Sequence, residues 1–300
     1  IDGTGTINAS TISGNTATNN DGGGIQMGGS GSATLTVENG SLITGNEAGD
    51  EGGGISNFEA DTLTVIASSI TDNIAGSTGG GIDNENATIV QNGSIISGNT
   101  AGGEGGGIFT GSDGSESLTV NNSTITNNTT TNAGGDGAGI WGGEGSELTL
   151  ENFTVISDNT AQDGDGGGLY LASDIGTVDI SNTTISGNEV QGSNGGGLFV
   201  GAGLTITLPS TVTVSGNTAN GDGGGIYIDT GADLTLDGAE VSNNTAGSIG
   251  GGIYGDTATL TLTNGALVDS NTATSTAGGI QATGGSVTVT NSTVSNNTAT

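Results

Sequence analysis

The stretch Asp163-Gly-Asp-Gly-Gly-Gly-Leu-Tyr170 sets two carboxylates before three glycines, an aliphatic residue and an aromatic one. Three chemistries use such parts. Carboxylates and turn carbonyls bind hard cations such as calcium. Glycine-rich loops cradle phosphates, with a lysine to hold the charge. A pair of carboxylates can hydrolyse a glycosidic bond. The rest of the chain narrows the choice. It has 31 Asp and Glu, a net charge of -31, and no Lys, Arg, His or Cys. Without a lysine the phosphate loop fails. Without imidazole or thiol, the usual base near neutral pH and the thiolate nucleophile are both missing. The charge argues against nucleic acid and against an anionic membrane as partner. No apolar run reaches the ~20 residues that span a bilayer, so direct membrane insertion is not expected.

The stretch recurs. The same word, glycines followed by an aliphatic, ends at Ile25, Ile55, Ile82, Ile108, Ile140, Leu169, Leu198, Ile226, Ile253 and Ile280. The shortest step is 26 residues (Ile82 to Ile108) and the longest 32 (Ile108 to Ile140). A second word, [IV]-x-x-N, ends at Asn15, Asn46, Asn73, Asn99, Asn128, Asn159, Asn188, Asn217, Asn244, Asn271 and Asn297. An alternating run lies between them, as in Leu234-Thr-Leu236 and Leu35-Thr-Val37. The words keep step along the whole chain, so whatever one residue does must be read as part of a repeat.

Each unit holds three short apolar runs of period two, which means strands. Gly, Asn, Asp and Ser fill the gaps, where turns need them. Three strands and three turns in this length fit one coil of a right-handed parallel β-helix, an all-β solenoid of 10–11 coils. At the strand spacing of ~4.8 Å, such a rod is roughly 50 Å long. A coil cannot bury its inner face alone, so stacking makes the core. Ile140, Leu169, Leu198 and Ile226 are expected to form one ladder, and Ile156, Ile185 and Val214 another. The eleven Asn of the second word are expected to form an inward amide ladder, helped by asparagine's tolerance of left-handed backbone.

Two further ladders carry the candidate chemistry. Four residues before the aliphatic stand Asp21, Glu51, Glu104, Asp136, Asp165 and Asp222, with Thr78, Asn194, Ile249 and Thr276 in the remaining coils. Carboxylates ~5 Å apart repel by about 1 kcal/mol in water and more when shielded. With no basic side chain to answer them, calcium is the candidate cofactor, set against a solvated acidic edge that keeps rods apart. Directly after the aliphatic stand Phe109, Trp141, Tyr170, Phe199, Tyr227 and Tyr254 in six consecutive coils. Alternation turns them outward, as a stiffening stack or as a docking stripe for sugar rings, another rod or a protein. Sequons at Asn39, Asn92, Asn122, Asn152, Asn182 and Asn291 follow from a repeat rich in Asn, Ser and Thr. Outward Thr36, Thr64, Thr119, Thr149, Thr235, Thr261 and Thr288 are good strand residues, though flat Thr arrays can also bind ice.

The pairing of GGG[IL] with [IV]-x-x-N over residues 1–300 resembles the repeats of bacterial extracellular β-helix proteins. It looks most like the polymorphic outer-membrane protein repeats, whose words are GGA[ILV] and FxxN. This chain has Ile or Val in place of that Phe, and Gly in place of that Ala. The resemblance implies a secreted or cell-surface adhesive or structural rod. Many β-helix proteins act on pectin, and the lyases resembling this architecture use Lys or Arg, which are missing here.

Residues 1–300 therefore read as a single continuous β-helix. Neither end carries an atypical polar capping repeat. Ile1-Asp2 resembles the end of a strand, and the chain stops where the next glycine word is due. The expectation is a segment of a longer protein or a filament subunit. The expected function is non-enzymatic: an extracellular fibre, filament subunit or adhesin stalk. Its partners would be other copies end to end, or cell-surface glycans and proteins. A calcium-dependent carbohydrate-binding adhesin is the alternative, and a polysaccharide-active enzyme the reading from another class.

Overall fold

The computed structural model describes residues 1, 3–28, 33–58, 62–111, 114–143 and 145–300. Asp2, part of the expected first strand end, lies outside them. The chain winds into a parallel β-helix in which every strand pairs with its equivalents one coil away. The expected ladders form in register. Ile140, Leu169, Leu198 and Ile226 are successive partners, as are Ile156, Ile185 and Val214. All seven are fully buried. One apolar cluster runs from Ile25 to Val268 along the axis.

The coil has four strands, one more than the period-two runs indicated. The L-T-V strands run from Thr4–Asn8 to Ser286–Val289, and the S-x-I strands from Thr11–Ser13 to Thr293–Ser295. The glycine word opens the strands from Ile25–Met27 to Ile280–Thr283. The additional ladder is made mostly of two-residue strands directly after the ladder asparagine, such as Thr218–Ala219 paired with Thr245–Ala246. Two residues are too few to display an alternation, which is why the sequence pattern missed it.

Among the described residues Pro209 marks the one break in the L-T-V ladder. Among the described residues this ladder divides into a seven-stranded and a four-stranded sheet, between the strands Val178–Ile180 and Thr205–Pro209. In the previous coil Ser181 N–H donates to the Leu150 carbonyl at 2.8 Å. Pro209 stands one coil on from Ser181 and has no N–H to give.

The two sequence words meet in space. Each ladder Asn donates from its side-chain nitrogen to the side-chain oxygen of the next, at 2.9–3.0 Å through all ten links from Asn15 to Asn297. Its backbone N–H donates to the same oxygen at 2.8–3.1 Å. A second side-chain donation reaches a carbonyl of the preceding coil, as from Asn188 to Ile156 at 3.1 Å. The left-handed conformation sits one residue earlier than expected, at Gly187 (φ 66°) before Asn188 and at Asp158 (φ 55°) before Asn159. The ladder Asn is thus chosen for its amide and not for its φ.

The sequons are also structural. Asn39, Asn92, Asn122, Asn152, Asn182 and Asn291 all have φ between 44° and 59°, so asparagine is there for a turn. After Asn39, Asn92 and Asn152 the hydroxyl two residues on is buried and already engaged, as where Ser94 Oγ donates to the Gln91 and Val65 carbonyls at 2.7 and 3.1 Å. Thr124 and Thr184 are half-buried and Thr293 is exposed. The outward threonines pair as Thr235, Thr261 and Thr288 in one run, but Ile89 and Asp179 interrupt the row elsewhere.

Candidate functional site

The acid position and the aromatic position flank one turn. In the Asp165–Tyr170 loop the first glycine, Gly166, has φ 64° and folds the chain back. A β-carbon on it would lie 2.9 Å from Tyr170 Cβ. The turn that carries Asp165 is thus packed against the base of Tyr170. In an earlier coil the same positions are bonded directly, Thr78 Oγ1 donating to Asp83 Oδ2 at 2.5 Å. Gly143 closes the other side at Trp141, where an added β-carbon would stand 2.6 Å from the indole ring. Beyond the strand, alternation puts Asp229 on the same face as Tyr227, and Asp256 on the same face as Tyr254. The aromatic row is therefore the floor of a shallow groove, with the acid column along one rim and Asp229 and Asp256 on the other, where Gly111, Gly143, Ala172 and Gly201 hold the equivalent place in the remaining coils.

The six aromatics stack continuously. Ring centroids are 4.6, 6.3, 4.7, 5.0 and 5.2 Å apart from Phe109 through Trp141, Tyr170, Phe199 and Tyr227 to Tyr254. The first four pairs lie within 10° of parallel, and the last is tilted by 25°. The stripe is less open than alternation alone suggested. Phe199 is buried, and the other five are half-buried between the rims. Stacking along the axis also covers the ring faces. The inner rings offer edges to the outside, and a sugar ring needs a face.

Most of the predicted acids have a structural task. Asp136 Oδ1 accepts the N–H of Asp165 at 2.7 Å, Asp165 Oδ1 accepts that of Asn194 at 2.7 Å, and Asp222 Oδ1 accepts that of Ile249 at 3.0 Å. Asn194 continues the row, its Oδ1 accepting from Asp222 N–H at 2.9 Å. Asp21 makes the same bond to Glu51 at 3.4 Å. This row reaches forward to the next coil's backbone, whereas the Asn ladder receives the previous coil's. Asn substitutes for Asp because the bond needs only an oxygen. Glu104 lies half-buried on the same line.

The charges are held under strain. Burial pushes the Asp136 carboxyl up to about 7 against the relief from the Asp165 N–H, and the Asp165 and Glu104 charges add to the rise. Burial, then Asp21 and Asp50, raises Glu51. Asp83, 1% exposed, is pushed well above the ordinary carboxylate range by burial, although its bond from Thr78 pulls the other way. Burial raises the hydroxyls of Tyr170 and Tyr227. Asp136, Asp165, Asp229 and Asp174 then add to the shift at Tyr170, and Asp229 and Asp256 lead the charges acting on Tyr227.

Of the six predicted cation ligands, only Glu51 joins a compact carboxylate group among the described residues. Its companions are Asp83 and Glu85, with one ligand atom of each within 4.8 Å of the others. Neither companion was a sequence-level candidate. Asp83 occupies the aromatic position one coil before Phe109 and Glu85 follows two residues later, so only the ladder register could have signalled them.

Residues 151–300 match the family model described as a right handed beta helix region, and the chain belongs to that right-handed β-helix family. No curated protein and no solved structure matched it.

Proposed function

We propose that the chain is a non-enzymatic structural rod on the outside of a cell, serving as a stalk, fibre or filament subunit that presents its flank to a partner. What supports this reading most is the use made of its polar side chains. The ladder asparagines, the buried hydroxyls and four of the six predicted acids all bond to a neighbouring coil. An enzyme of this architecture would need a constellation that departs from the repeat, and these residues stand at repeat-equivalent positions. The resemblance to polymorphic outer-membrane protein repeats points to the cell surface. Antibody against the chain should label intact, unpermeabilised cells of the source organism. A panel of neutral and acidic polysaccharides should gain no new reducing ends when incubated with it. Labelling only after permeabilisation, or cleavage of any polymer, overturns the reading.

A second reading adds calcium, and the Glu51, Asp83 and Glu85 group favours it. Three carboxylates, one of them buried, match the oxygen-only preference of that ion. The carbohydrate half of that alternative has less behind it, because the ring faces are covered.

A further inference from the structure

We infer that the aromatic groove is a docking surface for an extended, lysine- or arginine-rich polypeptide segment. The floor is a continuous aromatic stack over six coils, half-buried at five of them and buried at Phe199. Its five steps at ~4.8 Å give about 24 Å, the reach of roughly seven residues of extended chain. The rims carry Asp136 and Asp165 on one side and Asp229 on the other, within electrostatic reach of the Tyr170 hydroxyl. A lysine or arginine fits this cross-section in both its parts. Its aliphatic stem lies along the ring edges of Trp141, Tyr170 and Tyr227, and its charged head reaches a rim carboxylate.

Charge complementarity selects this occupant over others. A second copy of the chain has no Lys, Arg or His to offer and repels with a charge of -31. Nucleic acid is repelled in the same way. A sugar would need the ring faces that stacking has covered. A bare cation would use the rims and leave the apolar floor unused. The inference adds a binding surface to the rod reading and fails independently of it.

Trp141 is the sole tryptophan, so its emission reports on the groove. The full chain is titrated with a synthetic peptide of alternating lysine and threonine, with an alternating glutamate and threonine peptide and spermine as controls. One variant carries Asp136→Asn, Asp165→Asn and Asp229→Asn. Asparagine keeps the backbone bond at the first two, as Asn194 does naturally. A second variant loses the same charge away from the groove, through Glu38→Gln, Glu151→Gln and Asp237→Asn. Near-ultraviolet dichroism confirms that both keep the aromatic stack. The lysine peptide is expected to change Trp141 emission saturably, with Kd raised about tenfold or more by the groove variant and less than about twofold by the other. The glutamate peptide should do nothing. Equal weakening by both variants, tighter binding of spermine than of the peptide, or no saturable change at Trp141 overturns the proposal.

Discussion

Gly168 of one coil lies against the Asn188 amide of the next. A β-carbon on Gly168 would stand 2.7 Å from Asn188 Nδ2 and 2.7 Å from the Gly197 carbonyl oxygen. All ten third glycines, from Gly24 to Gly279, face their ladder Asn at 2.7–3.0 Å in this sense. That contact explains why the two sequence words keep step. The amide ladder requires a neighbour without a side chain, and glycine is the only residue that supplies one.

Gly168→Ala is therefore expected to be far costlier than an alanine at a glycine with room. Overpacking costs about 1–3 kcal/mol and a displaced buried amide about as much again, so a loss near 3 kcal/mol is expected. Gly40 is the comparison, with φ 74° and no atom within 4 Å of an added β-carbon. Gly40→Ala should cost only the left-handed strain, roughly 1–2 kcal/mol. Thermal melts followed by far-ultraviolet dichroism separate the two. Equal losses would mean that backbone conformation, and not the amide contact, selects glycine at both places.

Acidification should stabilise the protein, against the usual behaviour of paired carboxylates. The Asp136 pKa rises to about 7 in the folded state, chiefly through burial, and that of an unfolded Asp is near 3.9. Between those values the folded chain holds a proton that the unfolded chain has released. Stability then falls as pH rises through the window and is highest below it. Glu51 and Asp83, also raised by burial, act in the same direction. The melting temperature should drop from pH 5 to pH 8, and Asp136→Asn should flatten part of that slope. The Asp136 share is on the order of 3 kcal/mol before any relief by counter-ions. A melting temperature that rises with pH over this range contradicts the assignment.

The repeat, the strand ladders and the core positions were legible in the sequence because each coil repeats the last. Period two told which aliphatics face inward, and Ile156 and Ile185 lie where it put them. Contacts between coils were less legible. The sequence showed Asp136 and Asp165 as a row of charge, and could not show that each carboxylate oxygen caps the next backbone N–H. It placed Tyr170 on the outside, in a stiffening stack or a docking stripe, and could not show how far Phe199 and Trp141 cover its two faces. Asp83 was hidden for another reason. It stands in an aromatic column, and its partners Thr78 and Glu51 come from the adjoining acid column. A reading made one column at a time separates residues that the fold brings together.

Asp83 also offers a direct test of calcium. Without a cation its buried charge is unanswered by any basic side chain, so Asp83→Asn should stabilise the protein by about 1–2 kcal/mol at pH 7. The Thr78 hydroxyl keeps an oxygen to donate to in the variant. With a bound cation the sign reverses, and the variant should melt below the parent in millimolar calcium. The difference in melting temperature between parent and variant, with calcium and with chelator, is the measurement. A variant that is more stable under both conditions removes the calcium reading.

The aromatic stack should contribute stiffness and a spectroscopic signature together. Tyr170 stacks between Trp141 at 6.3 Å and Phe199 at 4.7 Å. Leucine there keeps much of the apolar area and loses both ring contacts, which are worth roughly 0.5–1.5 kcal/mol each. Tyr170→Leu is expected to cost about 1–3 kcal/mol and to reduce the near-ultraviolet dichroism of the coupled rings. Tyr254→Leu, at the end of the row, loses a single neighbour at a 25° tilt and should cost about half as much. The order matters more than the size. If the two substitutions cost the same, each ring acts alone against its own strand, and the six do not stiffen the rod as one column.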